Sequence, residues 1–196
     1  MPTASPTNKR PKVCPWWVAY TFDNPLRRLV HPPEKILQKY VREGMQVLDI
    51  GCGFGHFAIG MARLVGETGR VTALDVQNQM LAKTLSRARK QGLDRRMRTV
   101  CCNNGDWGLE PGFDFALASN VLHEAPDLSA LITQVAAVLK PGGLFYIMEP
   151  YGHVREAAFE QELDTCREAG FLELDRPRVA RERCALLQKP ARQGRA

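Results

Sequence analysis

Between residues 46 and 188 the apolar positions gather into short dense runs, separated by longer stretches in which they recur every three or four residues. The dense runs at 46–50, 71–74, 98–102, 113–118 and 144–148 predict strands, most of them apolar enough to lie buried in a parallel sheet. The periodic stretches predict helices. Phe57, Ile59, Met61, Ala62 and Leu64 describe one that closes near Gly66, and residues 78–91 form another. Leu128, Leu131, Ile132, Val135, Val138 and Leu139 fall at i, i+3, i+4, i+7, i+10 and i+11, with Asp127 placed to cap the helix they define. Upstream, Pro32-Pro33 opens a helix whose apolar face is Ile36, Leu37, Tyr40 and Val41, with Gly44 as its C′ residue. Residues 156–169 predict a last helix stopped by Gly170, and 171–174 with 184–188 predict a closing antiparallel hairpin.

Such β-α alternation implies an α/β fold, a doubly wound and mostly parallel sheet with helices on both faces. A chain of 196 residues suits one domain, which we place at 13–190. Residues 1–12 carry three prolines and little that packs, so a disordered basic tail is expected there, with a second basic tail at 191–196. Between them Trp16 and Trp17 stand in an aromatic segment, 13–30, that either closes as a lid or plugs an apolar flank.

The net charge of +6 invites a nucleic-acid reading, but the excess sits at the two ends and the body is mildly acidic, the pattern of solvated termini. Six cysteines show no C-x-x-C pair and no histidine at zinc spacing, so reduced thiols and no metal site are expected. No membrane span is visible and the first residues are polar rather than signal-like; a soluble, cytoplasmic protein is expected.

The chemistry concentrates at Val47-Leu-Asp-Ile-Gly-Cys-Gly-Phe-Gly55, a strand running into three glycines at alternate positions. Glycines there let backbone groups approach a ligand closely. A dinucleotide site wants G-x-G-x-x-G with pyrophosphate on the helix N-terminus. Here the spacing is G-x-G-x-G, and Asp49 would repel a pyrophosphate while suiting an ammonium group. A nicotinamide oxidoreductase is therefore disfavoured.

The segment from Asp49 to Gly55 resembles the class I S-adenosylmethionine-dependent methyltransferases. Four further segments resemble that family in the same order: Val71 to Asp75, Gly105-Asp106-Trp107, Ala118 to His123, and Leu139 to Leu144. The resemblance spans residues 36–150 and is nearest the small-molecule, ubiquinone and menaquinone branch. It implies a seven-stranded Rossmann-like fold with the cofactor S-adenosyl-L-methionine and the product S-adenosyl-L-homocysteine. It further implies that Asp49, Gly51, Cys52 and Gly53 hold the methionine end, with Asp49 anchoring the ammonium directly or indirectly. Asp75 would take the two ribose hydroxyls, with Val76 and Gln77 flanking the adenosine. The Asp106 side chain and the Trp107 N–H would meet adenine, and Asn120 the sulfonium end.

Methyl transfer from a sulfonium is a direct displacement, so alignment and exclusion of water dominate, and a base is needed only for a protonated acceptor. His123, just past Asn120, is the foremost candidate, with Glu124 and Glu149 next; it is either that base or a residue that packs at the helix start. His153, beyond the fifth strand, is either a base or a loop residue. His31 is expected to begin the Pro32-Pro33 helix and His56 to be a solvated first-turn residue. The expected acceptor is a small molecule, whether metabolite, thiol or metalloid. The alternatives are action on RNA or protein through the basic tails, and a non-catalytic protein that binds the cofactor.

Overall fold

The computed structural model describes residues 30–102 and 105–191. The tail at 1–12, Trp16 and Trp17 of the aromatic segment, and residues 192–196 of the second tail lie outside the described residues. The chain runs α1 (Pro33–Leu37), β1 (Gln46–Ile50), α2 (His56–Leu64), β2 (Arg70–Asp75), α3 (Asn78–Lys90), β3 (Met97–Cys101), β4 (Phe113–Ser119), α4 (Leu128–Val138), β5 (Leu139–Pro150), α5 (Glu156–Glu168), β6 (Leu172–Asp175) and β7 (Glu182–Gln188). Two single-turn 3-10 helices, Asp94–Arg96 and Leu122–Glu124, stand in the connections.

The seven strands form one sheet in the order β3-β2-β1-β4-β5-β7-β6. The first five pair in parallel, and β7 returns antiparallel to both β5 and β6. Because side chains alternate across a strand, each central strand feeds two cores. Val47, Phe115, Leu117, Tyr146 and Met148 face α1, α2 and α3; Leu48, Ile50, Ala116, Phe145 and Ile147 face α4 and α5. The doubly wound architecture with its C-terminal hairpin is as the alternation predicted. Cys101 and Cys102, adjacent at the end of β3, pack on opposite cores. Among the described residues no helix is long and apolar enough to cross a membrane.

Three elements differ from the sequence expectation. The first helix stops at Leu37, after which Tyr40 and Val41 N–H both turn back to the Leu37 carbonyl. Docking explains the shortening: Leu37 and Val41 are buried, and the Tyr40 ring lies 5.3 Å from that of Tyr146 on β5. Gly44 accordingly does not cap that helix, and its N–H donates to the Val65 carbonyl beyond α2. Leu139, expected to end α4, starts β5 instead, pairing with Phe113 before a register irregularity. His56 is half-buried rather than solvated, bonded through Nε2 to the His31 carbonyl at 2.8 Å. His31 in turn reaches the Ala180 carbonyl before β7, so this pair ties the chain entry to the hairpin.

Asp127 caps α4 as expected, its Oδ1 accepting the Ala130 N–H at 2.9 Å. Asp127→Ala is expected to lower the unfolding free energy by about 1 kcal/mol. The reading is a lower urea midpoint at unchanged slope, with Asp127→Ser keeping most of the stability.

Candidate functional site

Strand β1 lies between β2 and β4. The connection after β1 runs to α2 on one face and that after β4 to α4 on the other, the switch point whose crevice, beyond the C-terminal strand ends, is where open α/β sheets bind ligands. The glycine turn fills one wall of it. Gly51 has φ +63°, and a Cβ there would stand 2.4 Å from Val121 Cγ2 in the loop after β4. Gly51 therefore lets two loops from neighbouring strands touch. Gly53 has φ +53° and nothing within 4 Å of the position its Cβ would take, so its bare backbone faces open space. Thr84 on α3 donates to the Gly53 carbonyl at 2.8 Å and holds the turn from behind.

Two acids border the turn. Asp49, at 2% exposure, sits beneath it in β1. Asp75 ends β2, with Oδ2 accepting the Gly53 N–H at 3.0 Å and Oδ1 the Gln77 N–H at 2.9 Å. Burial raises the Asp75 pKa, and the backbone donors oppose it. A carboxylate offers about four acceptor positions on its two oxygens, the requirement for gripping a diol. Val76 beside Asp75 is 42% exposed, an apolar surface just past the end of β2. The Cys52 thiol is buried against Thr84, and burial pushes its pKa well up; only the Cys52 backbone belongs to the turn's surface.

The adenine turn differs in detail from its expectation. The Trp107 N–H donates to Gln134 Oε1 on α4 at 3.1 Å, and Gln134 Nε2 reaches back to the Gly105 carbonyl. The donor assigned to adenine is thus engaged within the protein, and the Trp107 ring is buried in the core beneath α4. Asp106 Oδ1 accepts the Gly108 N–H at 2.9 Å, leaving Asp106 exposed at the rim.

The loop after β4 carries the remaining groups. Asn120 holds φ +59°, a conformation that costs a non-glycine residue about 1 kcal/mol or more. Its N–H donates to the Met148 carbonyl, while its Oδ1 is buried without a hydrogen-bond partner. Asparagine is among the few non-glycine residues that visit this region, and its unsatisfied acceptor stands at the C-terminal edge of β4. Glu149, fully buried at the end of β5, accepts the N–H of Val121 at 3.1 Å and of Leu122 at 2.8 Å on Oε1, and its Oε2 bonds His123 Nδ1. That hydrogen bond is the main cause of a raised His123 pKa, with burial opposing it. His153 stands edge-on to His123 with ring centroids 6.2 Å apart, so the fold brings both histidine candidates together.

The sequence reading missed Glu162. It lies on α5 at 6% exposure, with Oε2 buried and unpartnered. Burial, and then the Glu149 charge, raise its pKa to about 8. The signal was present: Phe159, Glu162, Leu163 and Cys166 recur at i, i+3, i+4 and i+7, so an acid occupies an apolar-face position.

A methyltransferase-domain family model matches residues 41–182. The chain belongs to that family. It is 33% identical over 117 residues to a demethylmenaquinone methyltransferase of Staphylococcus aureus, a match covering 56% of this chain and 44% of that protein. It is 36% identical over 106 residues to a ubiquinone biosynthesis O-methyltransferase of Methylocella silvestris, covering 53% and 39%. The chain thus spans under half the length of these relatives. Its fold superposes on a SAM-dependent methyltransferase from Aquifex aeolicus with a TM-score of 0.77 at 24% identity, over 89% of this chain and 97% of the other.

Glu162 makes stability depend on pH. Its folded pKa, about 8, exceeds the ordinary carboxylate value, so its contribution is complete below about pH 4.3 and is lost as pH rises through 8. Glu162→Gln is expected to match the wild type in thermal midpoint near pH 4.5. At pH 9 it should exceed it by several degrees, at about 2–4 °C per kcal/mol for a domain of this size. Coincident melting curves at pH 9 would contradict a buried, proton-holding carboxyl.

Proposed function

We propose that this protein is a methyltransferase that uses S-adenosyl-L-methionine, releases S-adenosyl-L-homocysteine and methylates a small-molecule acceptor in the cytoplasm. The observation that carries the reading is the crevice at the end of β1. There a bare glycine backbone, two buried acids and the orphaned Asn120 Oδ1 match the polar ends of this cofactor. The curated relatives, named for quinone biosynthesis, support a small acceptor, and the described cysteines, all free, suit a reducing compartment.

When bound, the cofactor supplies a methyl carbon on a sulfonium, and transfer leaves a neutral thioether. The chain's own residues do the rest. Backbone groups at Gly51, Cys52 and Gly53 receive the methionine end, with the Asp49 charge favouring its ammonium. Asp75 accepts from the ribose diol while Val76 and Gln77 flank the adenosine. Asp106 at the rim accepts from the adenine amine; the Trp107 N–H joins only if Gln134 swings away. Asn120 faces the sulfonium end.

On the acceptor side, Glu149 holds His123 through Nδ1, which turns Nε2 outward as the proton acceptor. The acceptor's lone pair forms the new bond to carbon, and its proton passes to His123 Nε2. An imidazolium formed there is stabilised by the Glu149 carboxylate. His153 completes the acceptor side of the mouth.

Calorimetric titration with S-adenosylmethionine and S-adenosylhomocysteine tests the cofactor. Asp75→Ala is expected to weaken binding by about 10- to 100-fold, the loss of charge-assisted hydrogen bonds worth about 1.5–3 kcal/mol. No binding of either ligand to the wild type would overturn the reading. Once an acceptor is found, the rate should rise with pH through a value above 6.5, because His123 must be neutral to act. Glu149→Gln should move that limb down and lower the maximal rate at least tenfold. An unmoved limb would remove His123 from the reaction.

A further inference from the structure

We propose that Glu162 is a positioning residue for the His123 base, so that the Glu162 and His123 side chains exchange protons with solvent as a coupled pair beside the Glu149 carboxyl. The inference rests on the reading of His123 as proton acceptor given above.

The topology puts Glu149 and Glu162 on the same face of the sheet. Along β5, Phe145 and Ile147 face the core beneath α4 and α5, and by alternation Glu149 projects to the same face. Glu162 points into that core from α5, among Phe159, Leu163 and Cys166. The charges around the unit are few. From the loop after β4 come His123 and Glu124, whose Oε1 is 4.0 Å from His123 Nε2. His153 stands beyond β5. From β7, Arg183 lies opposite Glu149 in the register, but it donates to the Val154 carbonyl and pairs with Glu156. The helix α4, packed against α5, carries no titratable side chain; along α5, Glu160 and Asp164 pair with Arg176 and Arg167, and Cys166 is the next titratable group on the buried face. Glu162 therefore has two electrostatic partners that matter, Glu149 and His123.

Their signs make the coupling. Glu149 accepts from three donors, whereas Glu162 has a buried oxygen with no partner, so of the two acids Glu162 is the one that retains a proton. When His123 takes a proton from the acceptor, its positive charge favours ionisation of Glu162. Conversely, an ionised Glu162 raises the proton affinity of His123. Sites so coupled titrate as a pair with macroscopic midpoints. The consequence is a base whose proton affinity stays high across neutral pH, while the buried site changes net charge by less than one unit on proton capture.

The test needs neither cofactor nor acceptor. The imidazole carbon signals of the chain's four histidines are assigned by single substitution and followed by NMR from pH 5 to 10. The wild-type His123 curve is expected to show two inflections, the upper one near pH 8, where Glu162 titrates. In Glu162→Gln the upper inflection should vanish and the main midpoint should fall by several tenths of a pH unit. Glu162→Asp, which keeps a titratable carboxyl, should restore two inflections. A purely structural Glu162 would leave the His123 curve the same in wild type and Glu162→Gln, and that result overturns the proposal. Intact coupling in a protein that binds no S-adenosylmethionine would instead sink the methyltransferase reading and leave the unit standing.

Discussion

A carboxylate with no exposed surface persists in a sheet protein only where enough donors replace its lost water, and Glu149 meets that condition with two backbone N–H groups and an imidazole. Those donors all come from the loop after β4. One side chain at the end of β5 therefore dictates the path of a segment on the neighbouring strand. Fixing Val121 places its methyl groups against Gly51, and fixing the loop holds Asn120 in its left-handed conformation with Oδ1 orphaned. Removing one partner of such a buried arrangement costs about 3–5 kcal/mol, because the remaining charge is left uncompensated. The acceptor side and the methionine side of the crevice thus share one anchor.

The glycine turn depends on this anchor as much as the reverse. Gly51 accepts the approach of Val121, whereas Gly53 has open space in front of it. Two glycines of one motif serve different ends. One lets the protein close on itself, and the other keeps backbone available to a ligand. Thr84 and Asp75 hold the turn from α3 and β2, so three elements besides β1 restrain it. A site that must orient a small electrophile within a fraction of an ångström gains from restraint of this kind.

Much of this was legible in the chain. The limits of β1, the cap at Asp127 and the hairpin after α5 follow from local patterns, and local patterns survive folding when the core agrees with them. What failed was set by tertiary contact. Residues 38–44 have a helical period, yet docking of Tyr40 on Tyr146 ends the helix early. The Trp107 N–H looks free in sequence, and Gln134, 27 residues later, occupies it. His123 and Glu149 were each visible as candidates, but their bond spans 26 residues and depends on the β4–β5 register that sets Ser119 beside Met148. Glu162 was hidden by its own regularity, since a helix face is read by its majority of apolar positions.

That last position poses the sharper question, because the other buried residues of α5 are Phe159, Leu163 and Cys166. Burying a carboxyl with an unpartnered oxygen costs about 1–3 kcal/mol against an apolar side chain of like size, and nothing in the packing of Phe159, Leu163 and Cys166 requires it. A second acid near Glu149 adds like-charge repulsion, which joins burial in raising the Glu162 pKa. The result is a pair of carboxyls in unlike surroundings, one ringed by donors and one with a raised pKa and an unpartnered oxygen. Separation of that kind is how one fold holds an acid and a base form side by side at neutral pH. A purely structural core has no use for it, whereas a site that takes a proton from its substrate and must return to its starting charge does.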